Sequence, residues 1–268
     1  MNIFNFISSL DLDQKEQEAL SKKTNRREAF LNLGTLGKKL AVAAVPFGLA
    51  SLPAKTFAKT MAGDVIDTLN FALLLEYLEA EYYILGLDSG VITGSTEEKV
   101  FMQISKHESQ HVDFLKMAIS GSGGTPIDKP EFDFTVGGDF DPFDNYQVFL
   151  ALSQAFEDTG VRAYKGQATN LMGSDTVLTA ALQIHSVEAR HASQVRRMRG
   201  LKGWITQAQR GAGMPAATQA VYDGEDNLIQ GGVNVTQVTE VGTDGITEAY
   251  DEPLTKDEVV AIASLFLV

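Results

Sequence analysis

The stretch QISKHESQH at residues 103–111 is followed, 80 positions further along the chain, by the related stretch QIHSVEARH at residues 183–191. Both lie in segments whose apolar residues recur every three or four positions, which predicts amphipathic helices. Each stretch contains Glu-x-x-His, and residues three apart lie on the same face of a helix. The repeat therefore predicts two helices that each place a carboxylate beside an imidazole, an arrangement suited to holding one metal ion.

Two further helical segments carry a second repeat, because Glu76 and Tyr83 are seven residues apart, as are Glu157 and Tyr164. In all four segments the polar residues interrupt the apolar stripe that should face the core, so each helix is predicted to send one glutamate inward. Glu79 is the rival of Glu76, but it has no counterpart in the other half. The two tyrosines are interpreted as hydrogen-bond donors or redox-active phenols near the metals, with an ordinary buried tyrosine as the alternative.

Four carboxylates buried together would repel one another and would lose hydration worth several kcal/mol per ion. Two divalent cations would cancel the four negative charges. An oxygen-rich set with one imidazole per metal suits iron or manganese and leaves positions open for dioxygen or peroxide. We therefore predict a two-metal centre, with no organic cofactor, whose six ligands are Glu76, Glu108, His111, Glu157, Glu188 and His191.

Two other histidines break the repeat, since His107 corresponds to Val187 and His185 corresponds to Ser105. Both are predicted to be surface or capping residues, although His107 lies close enough in sequence to His111 to replace it as a ligand. A group of arginines late in the second copy is predicted to form a solvated face: Arg190, Arg196, Arg197 and Arg199.

The four helices are predicted at about 64–85, 96–119, 145–172 and 174–199. The second of them starts with the capping-box spacing of Ser95 to Glu98. Short connections within each pair indicate two antiparallel hairpins, and the Gly- and Pro-containing stretch 121–144 is long enough to cross the whole bundle. This order is typical of an all-α, ferritin-like four-helix bundle with one long crossover, which we place at residues 64–200.

Residues 201–268 are predicted to form a C-terminal tail. Alternating residues at 231–238 indicate one or two short β-hairpins. The spacing of Thr255 to Glu258 is a second capping box, which predicts a short final helix that begins there.

Composition excludes several classes of site and partner. The chain has 268 residues, and its 22 basic and 35 acidic residues give a formal charge of −13, which repels nucleic acid and anionic membrane surfaces. It has no cysteine, which excludes disulfides, thiolate metal sites and iron–sulfur clusters. Any metal must therefore be held by glutamate, aspartate or histidine.

The N-terminal residues 1–58 resemble an export signal of the twin-arginine type. Arg26 and Arg27 precede an apolar run at 40–52 and a small-residue stretch at 56–58. The run is too short to span a bilayer, so no membrane span is expected. An exported protein, periplasmic or extracellular, is predicted; the alternative is a retained helical extension on a cytoplasmic protein.

Two regions resemble a bacterial and plant ferritin-like-domain family that includes desiccation-related proteins. The first is LNFALLLEYLEAEYY at 69–83; the second comprises YDGEDN at 222–227, QGGV at 230–233 and DEPLT at 251–255. The resemblance covers about residues 64–268. It implies a secreted or periplasmic bundle protein associated with stress.

Three functions are compatible with the predicted centre. The first is a dimetal oxidase or ferroxidase-like protein that reacts with dioxygen or peroxide, and the second is a manganese catalase-like peroxide dismutase. The third is a structural or desiccation-protective protein in which metals tie the helices together and the tail mediates assembly. An iron-storage cage is not expected, because the two terminal extensions have no counterpart in short single-bundle chains. We also expect the chain to form a homo-oligomer.

Overall fold

The computed structural model describes residues 63–268, and the predicted export signal at 1–58 lies outside the described residues. Four long helices dominate it: α1 (Gly63–Ser89), α2 (Ser95–Gly121), α3 (Tyr146–Gln167) and α4 (Asp175–Met198). Helix α1 pairs with α2 and α3 pairs with α4, and the stretch between α2 and α3 connects the two hairpins. The predicted four-helix fold with a long crossover is confirmed.

Helix α1 runs one turn further than its apolar pattern predicts, through Gly86 to Ser89. A Cβ atom at Gly86 would lie 2.2 Å from Cε2 of Phe149, so only glycine allows α1 and α3 to approach this closely. The helix is followed by Gly90, whose φ of +76° favours glycine.

The capping box predicted at the start of α2 is wrong. The helix begins at Ser95, its N-cap residue is Gly94, and no side chain caps it by a hydrogen bond. Instead, the carboxylate of Glu97 folds back over Gly94, where a Cβ would lie 2.1 Å from Oε2 of Glu97. The helix thus begins one residue before the predicted start at about residue 96.

Helices α3 and α4 begin at residues that the sequence identified. Oδ1 of Asn145 accepts hydrogen bonds from the backbone of Gln147 and Val148, which caps α3. Ser174 occupies the N-cap position of α4 but forms no capping hydrogen bond through its side chain. Helix α3 ends earlier than predicted and continues as a 3₁₀ turn, Ala168–Leu171.

The tail contains less strand than its alternating pattern predicts. A hairpin of β1 (Ile229–Gln230) and β2 (Val233–Asn234) turns at Gly231 and Gly232, whose positive φ angles suit a two-residue hairpin loop. The next residues, Val235–Gln237, form a 3₁₀ turn instead of a strand.

The final helix is confirmed as α6 (Lys256–Ala263), with both hydrogen bonds of the capping box between Thr255 and Glu258. Two other tail elements carried no clear periodicity: the 3₁₀ helix Ala216–Val221 and the short helix α5 (Gly242–Thr247). Among the described helices, none is long and apolar enough to cross a membrane.

The tail packs directly on α3. The backbone N–H of Leu254 donates to the carbonyl of Arg162 at 3.1 Å, and a Cβ at Gly166 would lie 1.9 Å from the carbonyl oxygen of Leu254. Val259 and Phe266 are buried in the same hydrophobic cluster as the α3 residue Phe156. The tail therefore covers one side of the bundle that carries the candidate site.

Candidate metal centre

Each of the four long helices sends one of the predicted glutamates into the bundle. These four glutamates have 0% of their surface exposed: Glu76, Glu108, Glu157 and Glu188. The two predicted histidines follow their glutamates by one helical turn, and His191 is buried while His111 keeps slight exposure. All six predicted ligand residues thus meet in one place.

The six side chains form two overlapping groups of candidate ligand atoms, and within each group the atoms lie within 4.8 Å of one another. The first group is Glu76, Glu108, His111 and Glu188, and the second is Glu108, Glu157, Glu188 and His191. Because Glu108 and Glu188 belong to both groups, the arrangement is compatible with two neighbouring ions that share them.

Both histidines present Nδ1 to the carboxylates. Nδ1 of His111 lies 3.1 Å from Oε2 of Glu76, 3.0 Å from Oε2 of Glu108 and 3.2 Å from Oε1 of Glu188. Nδ1 of His191 lies 2.8 Å from Oε1 of Glu108 and 3.3 Å from Oε2 of Glu157. One imidazole nitrogen therefore serves each half of the cluster.

Several atoms of this cluster are buried without a hydrogen-bond partner, although they point at one another. They are Oε1 of Glu108, Oε2 of Glu157, both carboxylate oxygens of Glu188 and Nδ1 of His191. Unsatisfied buried polar groups cost about 1–3 kcal/mol each, and more when they are charged. Converging, unpartnered oxygens and an imidazole nitrogen are the donors that a divalent metal would satisfy, so the residues fit a metal centre.

The tyrosines connect the two halves crosswise. The hydroxyl of Tyr83, on α1, donates to Oε1 of Glu157 on α3, and the hydroxyl of Tyr164, on α3, donates to Oε1 of Glu76 on α1, both at 2.5 Å. Burial raises the pKa of both phenols, and the adjacent carboxylates raise it further. Both hydroxyls therefore keep their protons and act as donors.

In the metal-free protein, the two histidines are protonated and carry the positive charge that faces the carboxylates. Burial by itself would lower the pKa of His191, but Glu157 and Glu108 outweigh it and raise the pKa to about 11. The pKa of His111 is also raised, by its contacts with Glu76, Glu108 and Glu188. Protonated imidazoles thus stand where positive charge is needed.

The carboxylates respond unequally to the same environment. Burial raises the pKa of Glu76 to about 7 against the opposing effect of His111, and burial also raises the pKa of Glu157 and Glu188. Burial would raise the pKa of Glu108 as well, but its close contacts with Nδ1 of both histidines lower it to about 2. Glu108 is therefore the most strongly ionised carboxylate of the cluster.

Glu79, the sequence rival of Glu76, is buried next to the cluster but belongs to neither ligand group. A Cβ at Gly160 would lie 3.2 Å from Oε1 of Glu79 and 3.3 Å from Oε2 of Glu188. Oε2 of Glu79 has no hydrogen-bond partner. Burial raises the pKa of Glu79, with the charges of Glu188 and Glu157 as the next causes.

The two unmatched histidines differ from each other. His107 is partly exposed and stacks on His191, with ring centroids 5.2 Å apart and planes 12° from parallel. His185 is half-buried, and its Nε2 has no partner. Only His107 contacts the candidate centre directly.

A buried charge network beside the centre was missed, because Arg196 was assigned to a solvated face. Arg196 is 4% exposed and binds Asp158 with two nitrogens, at 3.1 Å and 2.6 Å. The hydroxyl of Tyr222, from the tail, donates to the same carboxylate at 2.8 Å. The helical pattern of α4 contains no signal for this pairing, since Asp158 and Tyr222 are distant in sequence.

Fold and site together define a ferritin-like four-helix bundle with a buried carboxylate–histidine cluster. The family model described as ferritin-like domain matches residues 64–201. The chain belongs to the ferritin-like domain family. Comparison with curated proteins gives no match.

Proposed function

We propose that the cluster is a dimetal centre of iron or manganese, held by the six ligands predicted from the sequence. Glu76 and His111 would serve one ion, Glu157 and His191 the other, and Glu108 and Glu188 both. The observation that carries the proposal is the convergence of carboxylate oxygens and imidazole nitrogens, within 4.8 Å of one another in each group and several of them without a hydrogen-bond partner, in the buried core of the bundle. Four carboxylates would balance two divalent cations.

We infer further that the protein oxidises metal or reacts with dioxygen or peroxide, in protection against stress. Iron or manganese at such a site supplies one-electron chemistry toward these small molecules. The chain's own residues hold the centre for it: Tyr83 and Tyr164 orient the outer glutamates, and the buried core excludes bulk water. Carboxylates also tolerate a change in the charge of the metal, because each can bind through one oxygen or bridge two ions through both.

The first test is metal binding by the full chain. Metal-free protein should take up two Fe²⁺ or Mn²⁺ ions per chain under anaerobic conditions, measured by mass spectrometric metal analysis. Replacing Glu108 and Glu188 together by alanine should abolish binding of at least one ion while circular dichroism retains the helical signal. Two ions bound with full stoichiometry by this double variant would contradict the ligand assignment.

The second test separates the functions. Oxidation of the loaded Fe²⁺ form by dioxygen or peroxide, followed by absorbance, would support the oxidase-like proposal. Rapid peroxide turnover by the Mn²⁺ form alone would favour a catalase-like dismutase. A loaded protein that reacts with neither, yet gains stability from metal, would be a structural protein.

The proposal that the protein is exported depends on the N-terminal sequence pattern alone. It is tested by measuring the intact mass of the chain isolated from its host, where removal of about the first 58 residues is the expected result.

A further inference from the structure

The two Glu-x-x-His stretches of the centre differ at a position that contacts a candidate metal ligand. His107 on α2 corresponds to Val187 on α4, in otherwise related stretches that both begin with Gln-Ile. Nδ1 of His107 lies 2.9 Å from Nε2 of His191. The side chain that differs between the halves therefore touches a candidate metal ligand.

His107 extends a hydrogen-bonded chain from the centre to the protein surface. Nδ1 of His191 faces the carboxylates, so Nε2 is the ring nitrogen on the far side from the cluster. His107 contacts that outer nitrogen, and the amide nitrogen of the exposed Gln103 is placed 2.6 Å from Nε2 of His107. The order from the core outward is His191, His107, Gln103.

The other histidine has no such support. Nδ1 of His111 also faces the carboxylates, but within residues 63–268 no side chain or backbone group forms a hydrogen bond with its Nε2. The side chain of His111 is 12% exposed, compared with 7% for His191. The residue of α4 that corresponds to His107 is Val187, whose apolar side chain cannot accept a hydrogen bond from an imidazole.

We propose that His107 is a positioning residue that makes the two ion sites unequal, with tighter binding at the His191 site than at the His111 site. The inference rests on the proposed dimetal function. A metal on Nδ1 of His191 requires the proton on Nε2, where it can be donated to Nδ1 of His107. His107 then carries its own proton on Nε2, and a half-turn of the Gln103 amide presents an oxygen to accept it. Such outer partners fix the tautomer and orientation of a metal-binding imidazole.

The test titrates Co²⁺ into metal-free protein in two backgrounds that each retain one histidine. In His111→Ala, which keeps the His191 site, adding His107→Leu should weaken Co²⁺ binding about 10- to 100-fold by calorimetry. In His191→Ala, which keeps the His111 site, His107→Leu should change the affinity less than about twofold, because its partner is already absent. His107→Gln retains a hydrogen-bonding group and should recover most of the loss.

Val187→Ala is the matched control, because it alters the corresponding position of the other half without removing a hydrogen bond. It should leave Co²⁺ affinity unchanged in both backgrounds. A second readout uses the otherwise unmodified protein loaded with Co²⁺. Its proton NMR spectrum should show one slowly exchanging, paramagnetically shifted imidazole N–H, from His191, which His107→Leu removes or broadens.

The outcomes separate this inference from the function on which it rests. If the unmodified chain binds two Co²⁺ ions but His107→Leu weakens both sites equally, or neither, the positioning role is refuted and the dimetal function stands. If either single-histidine background fails to bind, the titration of the unmodified chain decides: two steps of different affinity, with His107→Leu weakening only the tighter one, support the inference. Two sites of equal affinity in the unmodified chain would overturn the inference. No Co²⁺ binding at all would overturn the dimetal function and this inference together.

Discussion

Tyr83 and Tyr164 each stabilise a glutamate of the opposite hairpin instead of the one on their own helix. Each hydroxyl donates to Oε1 of a glutamate whose Oε2 faces Nδ1 of a histidine, at 3.1 Å for Glu76 and 3.3 Å for Glu157. A phenol at this position orients the carboxylate and leaves its second oxygen for metal. The pair also joins α1 to α3, whose backbones run close together over a shorter length than those of the partners within each hairpin.

We expect Tyr83→Phe to weaken binding of one ion by roughly tenfold, since loss of a partner to a ligand typically costs 10- to 100-fold in affinity. Tyr164→Phe should do the same for the other ion. The measurement is a Co²⁺ titration of metal-free protein. Tyr82→Phe is the control, because its buried hydroxyl donates to the carbonyl of Phe149 at 2.9 Å, away from the candidate ligands. Equal effects from all three variants would show that the tyrosines act only through stability.

Glu79 is a buried carboxyl group outside both ligand groups, and its charge would add to that of the cluster. Because burial raises its pKa, the group contributes a loss of stability as pH rises. We expect Glu79→Gln to match the original protein near pH 5 and to be more stable at pH 8, by on the order of 1 kcal/mol, in the metal-free form. Denaturant unfolding at both pH values measures this.

The same variant should still bind two ions. If Glu79→Gln bound one ion fewer, with an unchanged helical signal, Glu79 would be a metal ligand. This result would contradict its position outside both ligand groups.

At the scale of elements, α3 is the helix on which the tail is fixed. The buried Arg162 donates to the backbone carbonyls of Val221, Asp223 and Glu252, and its Nε lies 2.8 Å from Oε1 of Glu225. One guanidinium thus binds several separate turns of the tail. A full set of partners of this kind offsets the cost of burying the charge.

Gly166 also allows the tail to pack on α3, because the helix can approach Leu254 this closely only where a side chain is absent. We expect Gly166→Ala to destabilise the protein by about 1–3 kcal/mol, since the new methyl group meets a backbone carbonyl that cannot rotate away. Thermal or denaturant unfolding measures the change. The control is Gly121→Ala at the end of α2, where a Cβ has no neighbour within 4 Å and no loss of stability is expected. Similar losses in both variants would contradict the proposed close contact.

For the molecule as a whole, protons and metal ions compete for one buried cluster. Glu76 has a folded pKa of about 7 against an ordinary 4.5, so between these values the folded state binds more protons than the unfolded state. Stability of the metal-free protein therefore falls as pH rises through that window. The pKa of His191 is raised from 6.5 to about 11. This residue therefore contributes stability that is complete below pH 6.5 and is lost as pH rises toward 11. The pKa of Glu108 is lowered to about 2, so its effect has the opposite sign. Its contribution to stability is lost as pH falls from 4.5 toward 2.

We expect the metal-free protein to be most stable near pH 5 and to lose stability toward pH 8, whereas bound divalent cations replace the protons and remove this decline. Metal binding should release protons, and the affinity should rise with pH. Thermal unfolding of the metal-free and loaded forms at pH 5 and pH 8 gives the comparison. Parallel pH profiles for the two forms would show that the cluster does not bind the metal.

The sequence by itself determined which residues could face one another. Helical periodicity and the Glu-x-x-His repeat placed Glu108, His111, Glu188 and His191 on inward faces, and the capping box at Thr255 defined the last helix, because these features depend on residues a turn apart. The crossover followed from the length and composition of residues 121–144.

The tertiary structure alone decided which distant residues pair. The crossed contacts of the tyrosines, the stacking of His107 on His191 and the burial of Arg196 against Asp158 join residues at least 38 positions apart. Periodicity fixes the face of each helix, but the rotation and separation of packed helices set these contacts, and they arise only when all four helices and the tail bury their surfaces together.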